Sequence, residues 1–186
     1  MIIDKTSFCR KFRRLSTVLS LVMLSVACGT GSIQGSHDLY FIKSGYSGPL
    51  VIIFGQETGV RTKLENVSSV FEFPDNGELL VQEPAVYKVD DESFYFVADK
   101  GEHIPIARLY NPSLLRDPGP LKKSFNEVST NDETPYIMGG EMGTFNVRGK
   151  SIHFRTYLVG NRSRGEEFAQ RLMLKMTEIQ NSFQNQ

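Results

Sequence analysis

The stretch Gly-Pro-Leu-Val-Ile-Ile-Phe-Gly, residues 48–55, is apolar at every position from Leu50 to Phe54 and β-branched at its centre. Five residues are too few for a packed helix, and glycine and proline bound the run, so it reads as a strand. A strand with no polar side has to be covered on both faces, which demands layers stacked above and below it. Whatever else this chain does, it folds around that strand.

The neighbouring sequence supplies the layers. Short apolar-rich runs at 39–44, 60–65, 69–74, 78–82, 93–98 and 104–110 alternate with turn clusters such as Ser-Gly-Tyr-Ser-Gly-Pro (44–49) and Pro-Asp-Asn-Gly (74–77). This spacing predicts antiparallel strands, and the alternation in Val70-Phe-Glu-Phe-Pro74 suits a half-exposed one. A further pair is expected within 143–160, broken at Arg148-Gly149-Lys150. The glycines of Gly139-Gly-Glu-Met-Gly143 lack the Lys-Ser/Thr of a phosphate loop and read as a turn or bulge.

Towards the C-terminus the period changes. Phe168, Leu172, Met176, Ile179 and Phe183 step by three or four and form one apolar stripe, with Ser163 and Glu166 spaced as a capping box at the start. The expected fold is mainly β (α+β): an antiparallel two-layer β-sandwich-like domain with one C-terminal amphipathic helix, its stripe packed on the sheet. Between them, 111–135 is long for a compact domain and reads as a functional surface loop or a short helix near 121–128.

The first residues have a different grammar. Lys5, Arg10, Lys11, Arg13 and Arg14 precede an uncharged run from Leu15 to Ala27. Thirteen helical residues reach about 20 Å, short of a bilayer's roughly 30 Å hydrocarbon core. The segment therefore reads as an export signal. Leu24-Ser-Val-Ala-Cys28 resembles the bacterial lipobox, so 1–27 is expected to be a lipoprotein signal peptide, 28–36 the lipidated Cys28 with a flexible Gly/Ser-rich tether, and 37–186 a single β-rich domain. Two acyl chains suffice for stable anchoring, and acylation spares Cys28 from standing as a lone thiol in an oxidising compartment. Loss of the leader removes five of 21 Lys plus Arg and one of 21 Asp plus Glu, leaving 16 against 20. A mildly acidic domain without a basic cluster has no footprint for nucleic acid.

Ile42, Gly45, Tyr46, Gly48 and Pro49, with Phe73, Pro74, Asn76 and Gly77 and the late Val159-Gly160, resemble an uncharacterised family of bacterial exported proteins and lipoproteins that opens with an Ile-x-x-Gly-Tyr-x-Gly-Pro motif. Lys43 and Asn161 depart from its pattern. The resemblance implies an envelope location and a fold, and no activity.

No nucleophile stands in a recognisable setting, since neither a G-x-S-x-G elbow nor a Ser-x-x-Lys pair is present. The histidines are His37, His103 and His153. Asp99, Glu102 and His103 are the one grouping with metal-donor chemistry, and strand geometry sends Glu102 and His103 to opposite sides. No cofactor is expected. The leading expectation is a cell-envelope lipoprotein, held to the membrane at the outer membrane or the periplasmic face through Cys28, acting as a non-catalytic binding or structural module. Its contact residues would be Tyr46, Leu115, Arg116, Lys122 and Lys123, and its partner an envelope protein or glycan. The alternatives are an envelope hydrolase or metal-dependent enzyme using Asp99, Glu102 and His103, and a glycan-binding module, which would show aromatic rings lined up on an exposed sheet face.

Overall fold

A computed structural model describes residues 37–86, 91–110, 122–129 and 131–185. Cys28, the tether, Leu115 and Arg116 lie outside the described residues. Eleven strands are present among them: β1 (His37–Lys43), β2 (Gly48–Ile53), β3 (Lys63–Glu65), β4 (Ser68–Glu72), β5 (Glu78–Leu80), β6 (Glu92–Val97), β7 (His103–Ile106), β8 (Arg108–Tyr110), β9 (Lys122–Ser124), β10 (Tyr136–Val147) and β11 (Lys150–Gly160). A helix, α1 (Gly165–Gln184), ends the fold.

The strands form two sheets, ordered β3-β4-β1-β6-β7 and β5-β2-β11-β10-β8-β9. The core lies between them. Tyr40, Ile42, Phe71, Phe94 and Phe96 of the first sheet meet Leu50, Ile52, Ile137, Tyr157 and Val159 of the second. As the all-apolar run requires, β2 is buried at all six positions. Leu50 and Ile52 point into the inter-sheet core, whereas Val51 and Ile53 pack beneath Ile179, Leu172 and Met176 of the helix. Each such fully buried aliphatic side chain contributes about 1.5–3 kcal/mol by leaving water, which makes β2 the centre of the fold.

The architecture is mainly β and sandwich-like, but the expectation of antiparallel sheets is only partly right. β1 runs parallel to both β4 and β6, and β5, β8 and β9 join the second sheet through parallel pairs. Consecutive strands often change sheet: β1 leads through the 44–49 turn into β2 of the opposite layer, and β4 returns to lie beside β1. Period-two alternation fixes which side chains face inward and carries no information about strand direction. The run 104–110 is likewise two strands. Ile106 pairs with Phe94 in the first sheet and Arg108 with Ile137 in the second, so the chain crosses between sheets at Ala107.

The late pair is one long hairpin, β10–β11, closed by Arg148 (φ 48°) and Gly149 (φ 78°), as a two-residue turn with both central residues left-handed requires. Its register shifts between Gly139 and Glu141, so the glycine run is a bulge inside β10. The helix stripe is as expected, Phe168 and Ile179 being fully covered. Its cap is not. A 3-10 turn at Arg162–Arg164 delays the helix to Gly165, its N-cap Arg164 makes no side-chain cap bond, and the Ser163 hydroxyl donates to Asn161 Oδ1 at 3.2 Å instead. A capping box does occur in the 121–128 region, where Ser124 and Glu127 close a 3-10 turn at Phe125–Glu127. No helix among the described residues is long and apolar enough to cross a membrane.

Candidate functional site

Three turn motifs meet at one end of the sandwich. The Tyr46 hydroxyl donates to the Pro49 carbonyl at 2.5 Å, and Gly77 (φ 70°) packs directly against it. The Gly77 carbonyl accepts from Val51 N at 2.8 Å, while Asn76 Oδ1 caps Glu78 N at 3.0 Å. Gly48 and Pro49 pair with Val159 and Leu158 of β11. From above, α1 lays Arg171 over Gly48 and sends Lys175 Nζ to the Asn76 carbonyl at 2.8 Å. Residues far apart in sequence thus form one clamp that holds β1, β2, β5 and the helix together. Burial pushes the Tyr46 phenol above its ordinary range, with Arg171 opposing. Its hydroxyl is committed internally, so Tyr46 serves this turn before any partner.

A second feature is buried charge. Glu92 of β6 turns into the core with Phe94 and Phe96 and accepts from both sheets. Its Oε1 takes bonds from Arg155 Nη1 at 2.6 Å and the Tyr157 hydroxyl at 2.7 Å, and its Oε2 one from Arg108 Nη1 at 2.5 Å. Arg108 also donates to the Gly139 carbonyl at 2.7 Å, and a Cβ on Gly140 would lie 2.3 Å from its guanidinium. The bulge in β10 therefore opens the space that Arg108 fills. Arg155 is 3 % exposed and lies 3.8 Å from Asp38, and its Nε has no partner.

The pKa values follow from this packing. Burial works against the charge of Arg155, but Tyr157, Tyr40 and Glu92 outweigh it, and the guanidinium stays firmly protonated. Burial, then the Glu92 and Asp38 carboxylates, raise Tyr40; burial, then Tyr40 and Glu92, raise Tyr157. These groups are spent on one another, and what the cluster does is staple the two sheets.

The third feature is the outer face of the first sheet. In-register neighbours share a face, so Glu72, Phe41, Tyr95 and Pro105 form one outward row and Lys43, Val97 and His103 the next. The helix covers the second sheet, through β2, β10 and β11. On the first, the rings of Phe41, Tyr95 and His103 stand side by side across β1, β6 and β7. Centroids lie 5.8 Å apart for Phe41–Tyr95, 4.5 Å for Phe41–His103 and 6.1 Å for Tyr95–His103. Phe41 and Tyr95 are half-buried and His103 is exposed. Lys43 bonds Asp75 at 2.9 Å and Lys63 bonds Glu72 at 2.8 Å beside them, each pairing raising its lysine's pKa. An open groove of ≈ 390 Å³ runs along this face.

Of the residues expected to make contacts, Tyr46, Lys122 and Lys123 are described. Lys122 and Lys123 lie on β9, at the edge of the second sheet, with Lys123 Nζ 5.7 Å above the Tyr136 ring. Asp99, Glu102 and His103 are exposed around the β6–β7 turn, and no three His, Cys, Asp or Glu side chains among the described residues converge as a metal-binding group. His153 pairs with Thr144 Oγ1 at 2.9 Å, and His37 with Asp91. Sequence reasoning missed the Glu92–Arg155–Arg108 cluster and the joining of Phe41, Tyr95 and His103. The cluster had a signal, since Asp38, Glu92 and Arg155 each fall on the inward parity of their strands.

Residues 34–168 match the family of unknown function DUF6843. A solved structure of a Bacillus anthracis protein named "Putative Lipoprotein" shares the fold, with a TM-score of 0.56 at 14 % identity over 82 % of this chain and 97 % of that one. No curated protein matches.

Proposed function

The chain belongs to DUF6843, a family of unknown function, and from that premise we propose that it is a lipid-anchored protein of the bacterial cell envelope whose sandwich is a non-catalytic binding module. The observation that carries the binding role is the asymmetry of the two sheets. The second sheet packs its outer face on α1, whereas the first leaves the rings of Phe41, Tyr95 and His103 on its outer face, where Phe41 and His103 line a groove with Lys43, Glu65 and Glu72. Partly open rings on a rigid sheet face are what an interaction surface needs and what a purely structural domain covers.

The anchor rests on the leader, on Cys28 at the end of a lipobox-like run, and on the Gly/Ser-rich segment that would let the domain stand off the bilayer. The shared fold with a protein named as a lipoprotein agrees with that placement. Labelled palmitate fed to cells should enter the wild-type chain and not a Cys28→Ala variant. The purified full-length chain, kept in detergent micelles, should also sediment with delipidated envelope material, and a Phe41→Leu/Tyr95→Leu variant should do so less. A chain that takes no label refutes the anchor, and equal sedimentation of the two forms refutes the surface.

A further inference from the structure

We propose that the groove over Phe41 and His103, with the Tyr95 ring beside it, binds a pyranose ring of an uncharged glycan, an assignment that rests on the binding-module reading and gives it a ligand class. Three properties of the groove lead there.

The first is the kind of apolar surface it offers. Phe41, Tyr95 and His103 come from three adjacent strands and tile an area with centroid spacings of 4.5–6.1 Å. An aromatic face carries negative quadrupole potential. The C–H groups on one side of a sugar ring are weakly positive and flat enough to lie against it. Val97, between β1 and β7, keeps the floor of the groove apolar.

The second is charge. The groove is bordered by Lys43, Glu65 and Glu72; Lys43 is bonded to Asp75, and Glu72 accepts from Lys63. A phosphorylated or acidic ligand would meet more carboxylate than ammonium. Hydroxyl groups both donate and accept, so they can add to the spare N–H groups of the lysines and spare lone pairs of the carboxylates without breaking either pair. A neutral polyol is a ligand whose chemistry this border accepts.

The third is size. At ≈ 390 Å³ the groove lies in the range of roughly 300–1,000 Å³ typical of small-molecule clefts.

The test uses full-length protein in a zwitterionic detergent without a sugar headgroup, titrated calorimetrically with cellotriose, maltotriose and triacetylchitotriose. At least one should bind with a Kd of about 1 mM or tighter. Phe41→Leu/Tyr95→Leu, which keeps apolar bulk and removes the rings, should weaken that binding about tenfold or more. Its circular dichroism should match the wild type, and Tyr95→Phe, which keeps the ring, should bind within about twofold of wild type. Absence of binding by all three sugars, or binding that the double leucine variant retains, overturns the assignment. If the three sugars fail while ring-dependent sedimentation with envelope material persists, the glycan assignment falls and the binding surface stands.

Discussion

The Tyr46 hydroxyl fills the space that a side chain on Gly77 would need: a Cβ there would lie 2.0 Å from the phenol oxygen and 2.6 Å from the Pro49 carbonyl oxygen. Gly77 also sits at φ 70°, where L side chains are disfavoured. Gly77→Ala should therefore cost about 3 kcal/mol of unfolding free energy, because a backbone oxygen cannot step aside as a flexible side chain could. Tyr46→Phe keeps the ring and loses one hydrogen bond, a loss of about 1 kcal/mol. Urea denaturation of the two variants checks the order.

The shared carboxylate of Glu92 predicts an asymmetry within the buried cluster. Glu92→Gln leaves Arg155 and Arg108 without their common counter-charge, and breaking a buried pair in this way costs about 3–5 kcal/mol. Arg155→Met should cost less, since Glu92 keeps Arg108 and Tyr157 and the unpartnered Nε is removed as well. Thermal melts that place Arg155→Met below Glu92→Gln would contradict this account of the cluster.

Tyr40 and Tyr157 make alkaline stability a readout of the same core. Their phenols are raised above 10.0 in the fold, so the folded state holds protons that the unfolded chain releases. The stability they contribute is complete below pH 10 and falls as the pH climbs beyond it. In an alkaline titration, phenolate absorbance from these two tyrosines should appear only together with loss of the folded circular-dichroism signal.

At acid pH the sign reverses. Hydrogen bonds from Thr134 and then Tyr136 hold Asp132 at about 2 against 3.8 for a free carboxyl. Its contribution is present above the unfolded value and disappears as the pH drops through the folded one. The urea midpoint of the wild type should exceed that of Asp132→Asn at pH 6, and the gap should close by about pH 2.

How much of this was legible in the sequence depended on periodicity. The burial of β2 followed from its unbroken apolar run, and the Phe168–Phe183 stripe from its three-and-four spacing, because both are consequences of which side a residue faces. Strand direction was not legible, since a parallel and an antiparallel strand alternate identically. The two strands hidden in 104–110 were not legible either, because a crossing at one alanine leaves the alternation intact. The start of α1 shifted because a 3-10 turn, with its tighter winding, took the residues that matched a capping box.

The candidate site depended on the same missing information. Phe41 was visibly opposite in parity to Tyr40, and Tyr95 to Phe94. Placing Phe41 beside Tyr95 and within 4.5 Å of His103 required knowing that β1 and β6 are parallel neighbours and that β7 folds back on β6.

An intact-mass measurement of the mature polypeptide purified from membranes reads the chemistry of Cys28 in one step. The account predicts a chain that begins at Cys28 and carries the added mass of a diacylglyceryl group. A chain that retains the leader, or one that begins at Cys28 with a bare thiol, would contradict it.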